Sequence, residues 1–155
     1  MPKSALTNLM EDLVKSLGLN MEIEDSTSYT LSLGRRSVEL EMDDEGKFVI
    51  VSAILGKVPP GKYRQDVLEQ ALKSNGYPPP VFGYLGFDKD TEMLVLHKQF
   101  HISKVSKDEL LEKLPGLVEM AKNWDQAISS STVPIASKPD PSQAPNILEI
   151  LEIKT

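Results

Sequence analysis

The sequence predicts an α+β domain of order α-β-β-β-α-β-β-α, in which helices pack a twisted antiparallel sheet. Three observations predict it. Apolar residues repeat at helical spacing in three stretches, around residues 6–17, 63–72 and 110–128. Between them lie stretches of strand length in which β-branched and aromatic residues alternate with polar ones or run together. These come three in a row and then two in a row across short turns, which favours antiparallel neighbours over the strict strand–helix alternation of a parallel sheet.

The elements follow in order. Ser4 is placed to cap a helix in which Leu6, Leu9, Met10, Leu13, Val14 and Leu17 share a stripe, and Gly18 ends it. Tyr29, Leu31 and Leu33 alternate with Thr30 and Ser32, a strand with one wet face. Gly34, Arg35 and Arg36 turn the chain into a second such strand, where Val38, Leu40 and Met42 alternate with Glu39 and Glu41. After the turn at Asp43–Gly46, Phe48 to Leu55 is almost unbroken apolar sequence, which predicts a central strand covered on both faces. Gly56, Pro59, Pro60 and Gly61 end that strand. A helix follows with Tyr63, Val67, Leu68, Ala71 and Leu72 in its stripe, and Asn75 with Gly76 predicts a left-handed stop.

Tyr77 and Pro78–Pro80 force an extended connection into a short aromatic strand, Phe82 to Phe87, whose Gly83 and Gly86 permit close approach of another backbone. Asp88–Thr91 turns into a longer strand, Glu92 to Ile102. Ser106 and Glu109 form a capping box for the last helix, which carries Leu110, Leu111, Leu114, Leu117, Val118, Ala121, Trp124 and Ile128 on one face. Pro115 removes one of its backbone bonds and predicts a kink near Leu111. Ser130–Asn146 is rich in serine and proline and is expected to be a linker. The organisation expected is a domain over residues 1–130 and a Pro/Ser-rich tail over 131–155. That tail ends in Ile147, Leu148, Ile150, Leu151 and Ile153, apolar residues that need somewhere to dock.

Composition excludes several functions. There is no cysteine, so thiol catalysis, disulfides and cysteine-based zinc sites are out. No run approaches the roughly 18 apolar residues of a membrane span, and the start lacks a leader pattern, so a soluble cytoplasmic protein without membrane insertion is expected. A net charge of −6 and only three arginines, Arg35, Arg36 and Arg64, oppose nucleic-acid binding.

Chemistry is sparse. His97 and His101, four apart on a strand, lie on one face but too far apart to hold a metal without a third ligand. In a calcium loop starting at Asp43 the twelfth position would be Ile54 rather than a glutamate. Gly83–Gly86 and Gly56–Lys57 lack the patterns of dinucleotide and phosphate loops, and no serine sits in a nucleophile elbow. No catalytic residue, metal or cofactor is therefore assigned, and the sequence points to binding instead of bond chemistry. Three helices do not obviously cover both faces of Phe48–Leu55, Phe82–Phe87 and Met93–Leu96, which leaves apolar surface for a partner.

The strand end Ala53-Ile54-Leu55-Gly56-Lys57-Val58-Pro59, with the helix after it, resembles the class I type III secretion chaperones, the Tir chaperone family. The closing helix residues Leu117–Trp124 are similar as well, and the likeness runs from Leu6 to Ile128. LGKVPPGKYRQDVLEQAL and the later GYLGF resemble the chlamydial branch of that family. Pro115 and the apolar-ended tail depart from its pattern.

The resemblance implies a bacterial, cytoplasmic, non-enzymatic homodimer. It would bind the N-terminal segment of a secreted effector in extended form, keep it export-competent, and meet the secretion ATPase or export apparatus. The alternative is a cytoplasmic regulatory or adaptor domain of the same fold, with a non-secreted partner such as a secretion regulator. The expected dimer interface comprises Tyr63, Val67, Leu68, Ala71, Leu72, Phe82 and Tyr84, where charge at Val67 or Leu68 should part the dimer before it unfolds the subunit. The expected effector contacts are Met10, Val14, Leu31, Leu33, Leu94 and Leu96.

Overall fold

The computed structural model describes residues 3–18, 22–33, 36–138 and 151–154. Among them the eight expected elements form in the expected order, and a short strand follows. They are α1 (Ala5–Ser16), β1 (Ser28–Leu33), β2 (Arg36–Met42), β3 (Phe48–Lys57), α2 (Lys62–Asn75), β4 (Tyr84–Asp88), β5 (Met93–His101), α3 (Lys107–Ser129) and β6 (Leu151–Lys154). The chain divides into two compact units: Met1–Val51 with Gln99–Pro115 and Asn146–Thr155, and Ser52–Lys98 with Gly116–Pro145.

In the first unit the strand order is β6-β1-β2-β3. α1 begins because the Ser4 hydroxyl accepts the Thr7 N–H at 3.0 Å, and it ends at Gly18, whose φ of +70° a residue with a Cβ would resist. Its stripe is buried at Leu6, Met10 and Leu13. The β1–β2 register sets Tyr29 against Leu40 and Leu31 against Val38, all four buried. Burial of each such leucine is worth about 1.5–3 kcal/mol. At the β2–β3 turn the Asp43 carboxylate accepts the N–H groups of Lys47 at 2.8 Å and Phe48 at 3.0 Å, which explains the tight reversal.

In the second unit the order is β3-β5-β4. β4 pairs antiparallel with β5, with Leu85 against Leu96 and Phe87 against Leu94. The Pro59-Pro60-Gly61 exit from β3 is tied down by Arg64, whose Nε and Nη2 both donate to the Val58 carbonyl, at 2.9 and 2.7 Å. Asn75 closes α2 onto β4, donating to the Leu85 carbonyl and accepting the Leu85 N–H, each at 2.8 Å.

Several expectations are corrected. β3 is fully buried on one face, at Val49, Val51, Ala53 and Leu55, whereas on the other Phe48 and Ile50 are half-buried and Ile54 is 66% exposed. Gly76 caps α2 in a right-handed conformation, φ −84°, because the chain continues into a further turn in which Tyr77 N–H donates to Ser74 O. The start of the expected linker is packed: Thr132 O accepts the Tyr63 hydroxyl at 2.8 Å, the Gln70 side chain accepts the Ala136 N–H at 2.9 Å, and Pro134 is buried. Ile147, Leu148 and Ile150 lie outside the described residues.

Candidate protein-docking surfaces

In the first unit α1 is fixed to the segment before β1 by a polar knot around Thr7, which is fully buried. Its hydroxyl lies 2.7 Å from the Tyr29 hydroxyl, 2.9 Å from the Asp25 carboxylate and 3.0 Å from the Ser26 carbonyl, and it accepts the Ser26 N–H at 3.0 Å. The Tyr29 hydroxyl donates onward to the Glu24 carbonyl. Asp25 also accepts the Ser4 N–H at 2.9 Å, and that bond, ahead of the one from Thr7, holds its carboxyl below the ordinary carboxylate value. β1 is therefore held rigidly from within. On its outer side it pairs antiparallel with β6, with Leu31 opposite Ile153 and Leu33 opposite Leu151.

In the second unit the exposed large apolar residues lie on β3, α2, β4 and, at Val133 and Ile135, the segment after α3. Leu72 is 73% exposed, Ile54 66% and Tyr84 39%. Among the described residues β4 has a strand neighbour on one side only, and on its other side the Leu85 N–H and C=O are taken by the Asn75 side chain. Of the expected interface residues, Leu72 and Tyr84 are open to a partner, while Tyr63, Leu68 and Phe82 are half-buried. Val67 and Ala71 are buried on the inward face of α2. A cavity of about 390 Å³ meets α2 at Ser74 and is lined by Val81, Phe82, Met120, Trp124, Val133 and Ile135 among others.

Met10, Val14, Leu31, Leu94 and Leu96 do not form a contact surface in this structure. All five are buried in the chain's own core, because an apolar stripe facing inward already has its cover. The Leu33 side chain lies outside the described ones. Sequence reasoning missed Ile54, Val133 and Ile135. An unbroken apolar run such as Phe48–Leu55 hides which residues face outward, and Val133 and Ile135 sit in a stretch whose composition reads as linker. Among the described residues no group of three or more His, Asp or Glu gathers as metal ligands.

An antiparallel sheet whose outer strand β1 pairs with a short segment of the chain in one unit, and an exposed apolar helix-and-strand surface in the other, is the architecture of a protein-docking module. Residues 8–125 match the model of the Tir chaperone protein (CesT) family, and the chain belongs to that family. A search of curated protein sequences returns no match. Solved structures with the same fold include the HopA1–SchA chaperone–effector complex, at 19% identity and a TM-score of 0.61, covering 79% of this chain and 94% of that one. The Yersinia pestis type III secretion chaperone SycH, solved with a stable fragment of YscM2, matches at 22% identity and a TM-score of 0.57, covering 76% and 98%. The ExoT–SpcS complex from Pseudomonas aeruginosa matches at 15% identity and a TM-score of 0.60, covering 77% and 97%. Among the described residues no helix is long and apolar enough to cross a membrane.

Proposed function

We propose that this protein is a cytoplasmic type III secretion chaperone. As a homodimer, it holds the N-terminal segment of a secreted effector extended and ready for export. The family match over residues 8–125 carries this reading, and the chaperone–effector and chaperone–fragment complexes among structures of the same fold support it. No bond is made or broken. Work is done by covering apolar client surface and by pairing client backbone at a sheet edge.

The second copy docks on the α2 and β4 surface through Leu72 and Tyr84, flanked by Leu68, Tyr63 and Phe82, with Val67 and Ala71 setting the helix from beneath. A stable dimer of this kind buries roughly 1,200 Å² or more. The client meets the outer side of β1 at Leu31 and Leu33 through backbone pairing. Met10, Val14, Leu94 and Leu96 support the two units from inside.

Light scattering on the purified chain should give a dimer at micromolar concentration. Co-purification from the native cell should retain a protein that is secreted and that binds through its N-terminal segment. A monomer with no bound protein would overturn the reading, and a partner that stays in the cell would point instead to a regulatory adaptor.

A further inference from the structure

The outer side of β1 is not vacant. β6 runs antiparallel along it with Leu33 opposite Leu151, Ser32 opposite Glu152, Leu31 opposite Ile153 and Thr30 opposite Lys154. The pairing matches apolar with apolar and polar with polar, so a slip of one residue would lose every match. Four residues of β6 cover four of the six in β1. Among the described residues the register ends at Thr30 and does not reach Tyr29 and Ser28. β1 itself is held from the other side, through β2 and the Thr7–Tyr29 knot, so its edge keeps its shape whether or not β6 is present.

We propose that the β1 edge is a docking site for extended peptides with apolar residues at alternate positions, and that segment 151–154 is its resident, displaceable occupant. A client strand binds by competing with the chain's own. The identity of that client rests on the chaperone reading above, whereas the occupancy does not. A tethered segment acts at an effective concentration on the order of millimolar, which weakens any incoming peptide until the tethered strand is displaced. Being short, β6 is outpaired by a client segment that pairs along more of β1. The chain thereby covers its own aggregation-prone edge when no client is present.

The test uses the full chain and two full-length variants, Ile153→Pro and Leu151→Pro, each of which puts a proline into β6 and disfavours its pairing. The probe is a labelled synthetic peptide of residues 146–155. It should bind the variants at least about tenfold more tightly than the unaltered chain. Amide exchange over Thr30–Leu33 should be faster in the variants alone and slow again when the peptide is added. Equal peptide affinity with unchanged β1 exchange would overturn the proposal. Loss of folding in both variants would overturn it too, since it would make β6 a constitutive sixth strand. Because the probe is the chain's own segment, a positive result stands even if the captured client proves not to be secreted.

Discussion

The ring of Phe82 rests against the backbone of Gly116, so closely that a Cβ added there would lie 2.3 Å from Phe82 Cδ1. Alanine at 116 would gain up to about 1 kcal/mol of helix propensity. Overpacking of this kind costs about 1–3 kcal/mol, and a contact this short against a ring flanked by the cavity wall belongs at the upper end. Gly116→Ala should therefore destabilise the protein by about 1–2 kcal/mol net in urea unfolding. A gain in stability would show that Phe82 swings freely into the cavity.

Tyr29 and Thr7 share a buried bond of 2.7 Å, and the Tyr29 hydroxyl is also the donor to Glu24 O. Tyr29→Phe leaves both partners short of one bond and should cost about 1–2 kcal/mol. Thr7→Val, which also abandons Asp25 and the Ser26 backbone, should cost more, about 2–3 kcal/mol. Equal losses in the two variants would mean that the knot does not centre on Thr7.

Acid should loosen the first unit at two places. The Asp25 and Asp43 carboxyls are held below their ordinary value of 3.8, Asp25 chiefly by the Ser4 N–H and Asp43 chiefly by the Phe48 N–H. A group whose folded value lies below its unfolded one contributes stability that is present above the unfolded value and lost as pH falls through the folded one. Unfolding midpoints should thus hold from pH 7 to about 5 and decline below about pH 4. Asp25→Asn should flatten part of that decline, and an unchanged slope would remove Asp25 from the explanation.

Leu72 and Val67 separate assembly from folding on one helix. Leu72→Asp changes a side chain that is 73% exposed and should leave subunit stability within about 0.5 kcal/mol while converting the proposed dimer to monomer. Val67 is fully buried, so charge there puts an unpaired carboxylate in the core and should unfold the subunit first, contrary to the expectation from the helical stripe alone. Light scattering with thermal melting on both variants would decide. A dimeric Leu72→Asp chain would move the seam elsewhere.

Period and punctuation made most of the fold legible. Ser4, Gly18, Ser106 and the Pro59-Pro60-Gly61 break mark element ends through backbone chemistry that does not depend on distant packing. β6 was not legible as a strand, because four residues are too few to show a period and their pairing is decided by β1, far off in the chain. The docking surface was half legible. A stripe such as Met10 and Val14 on α1, or Leu68 and Leu72 on α2, is equally apolar whether it faces core or partner. Only the placement of neighbouring elements shows that Met10 is covered and Leu72 is not.

Arg64 does more than seal a strand end. Its guanidinium also pairs with Glu92 at 3.3 Å and lies 4.9 Å from the Phe87 ring centre, while Lys57 reaches the other Glu92 oxygen at 3.8 Å. One planar cation thus joins the departure from β3, the first turn of α2, the β4–β5 turn and the far end of β4. The apolar residues proposed to meet a second copy therefore sit on a braced truss and not on separate struts. A lysine at 64, able to satisfy one of those partners at a time, would let Leu72 and Tyr84 drift apart with every individual element still folded.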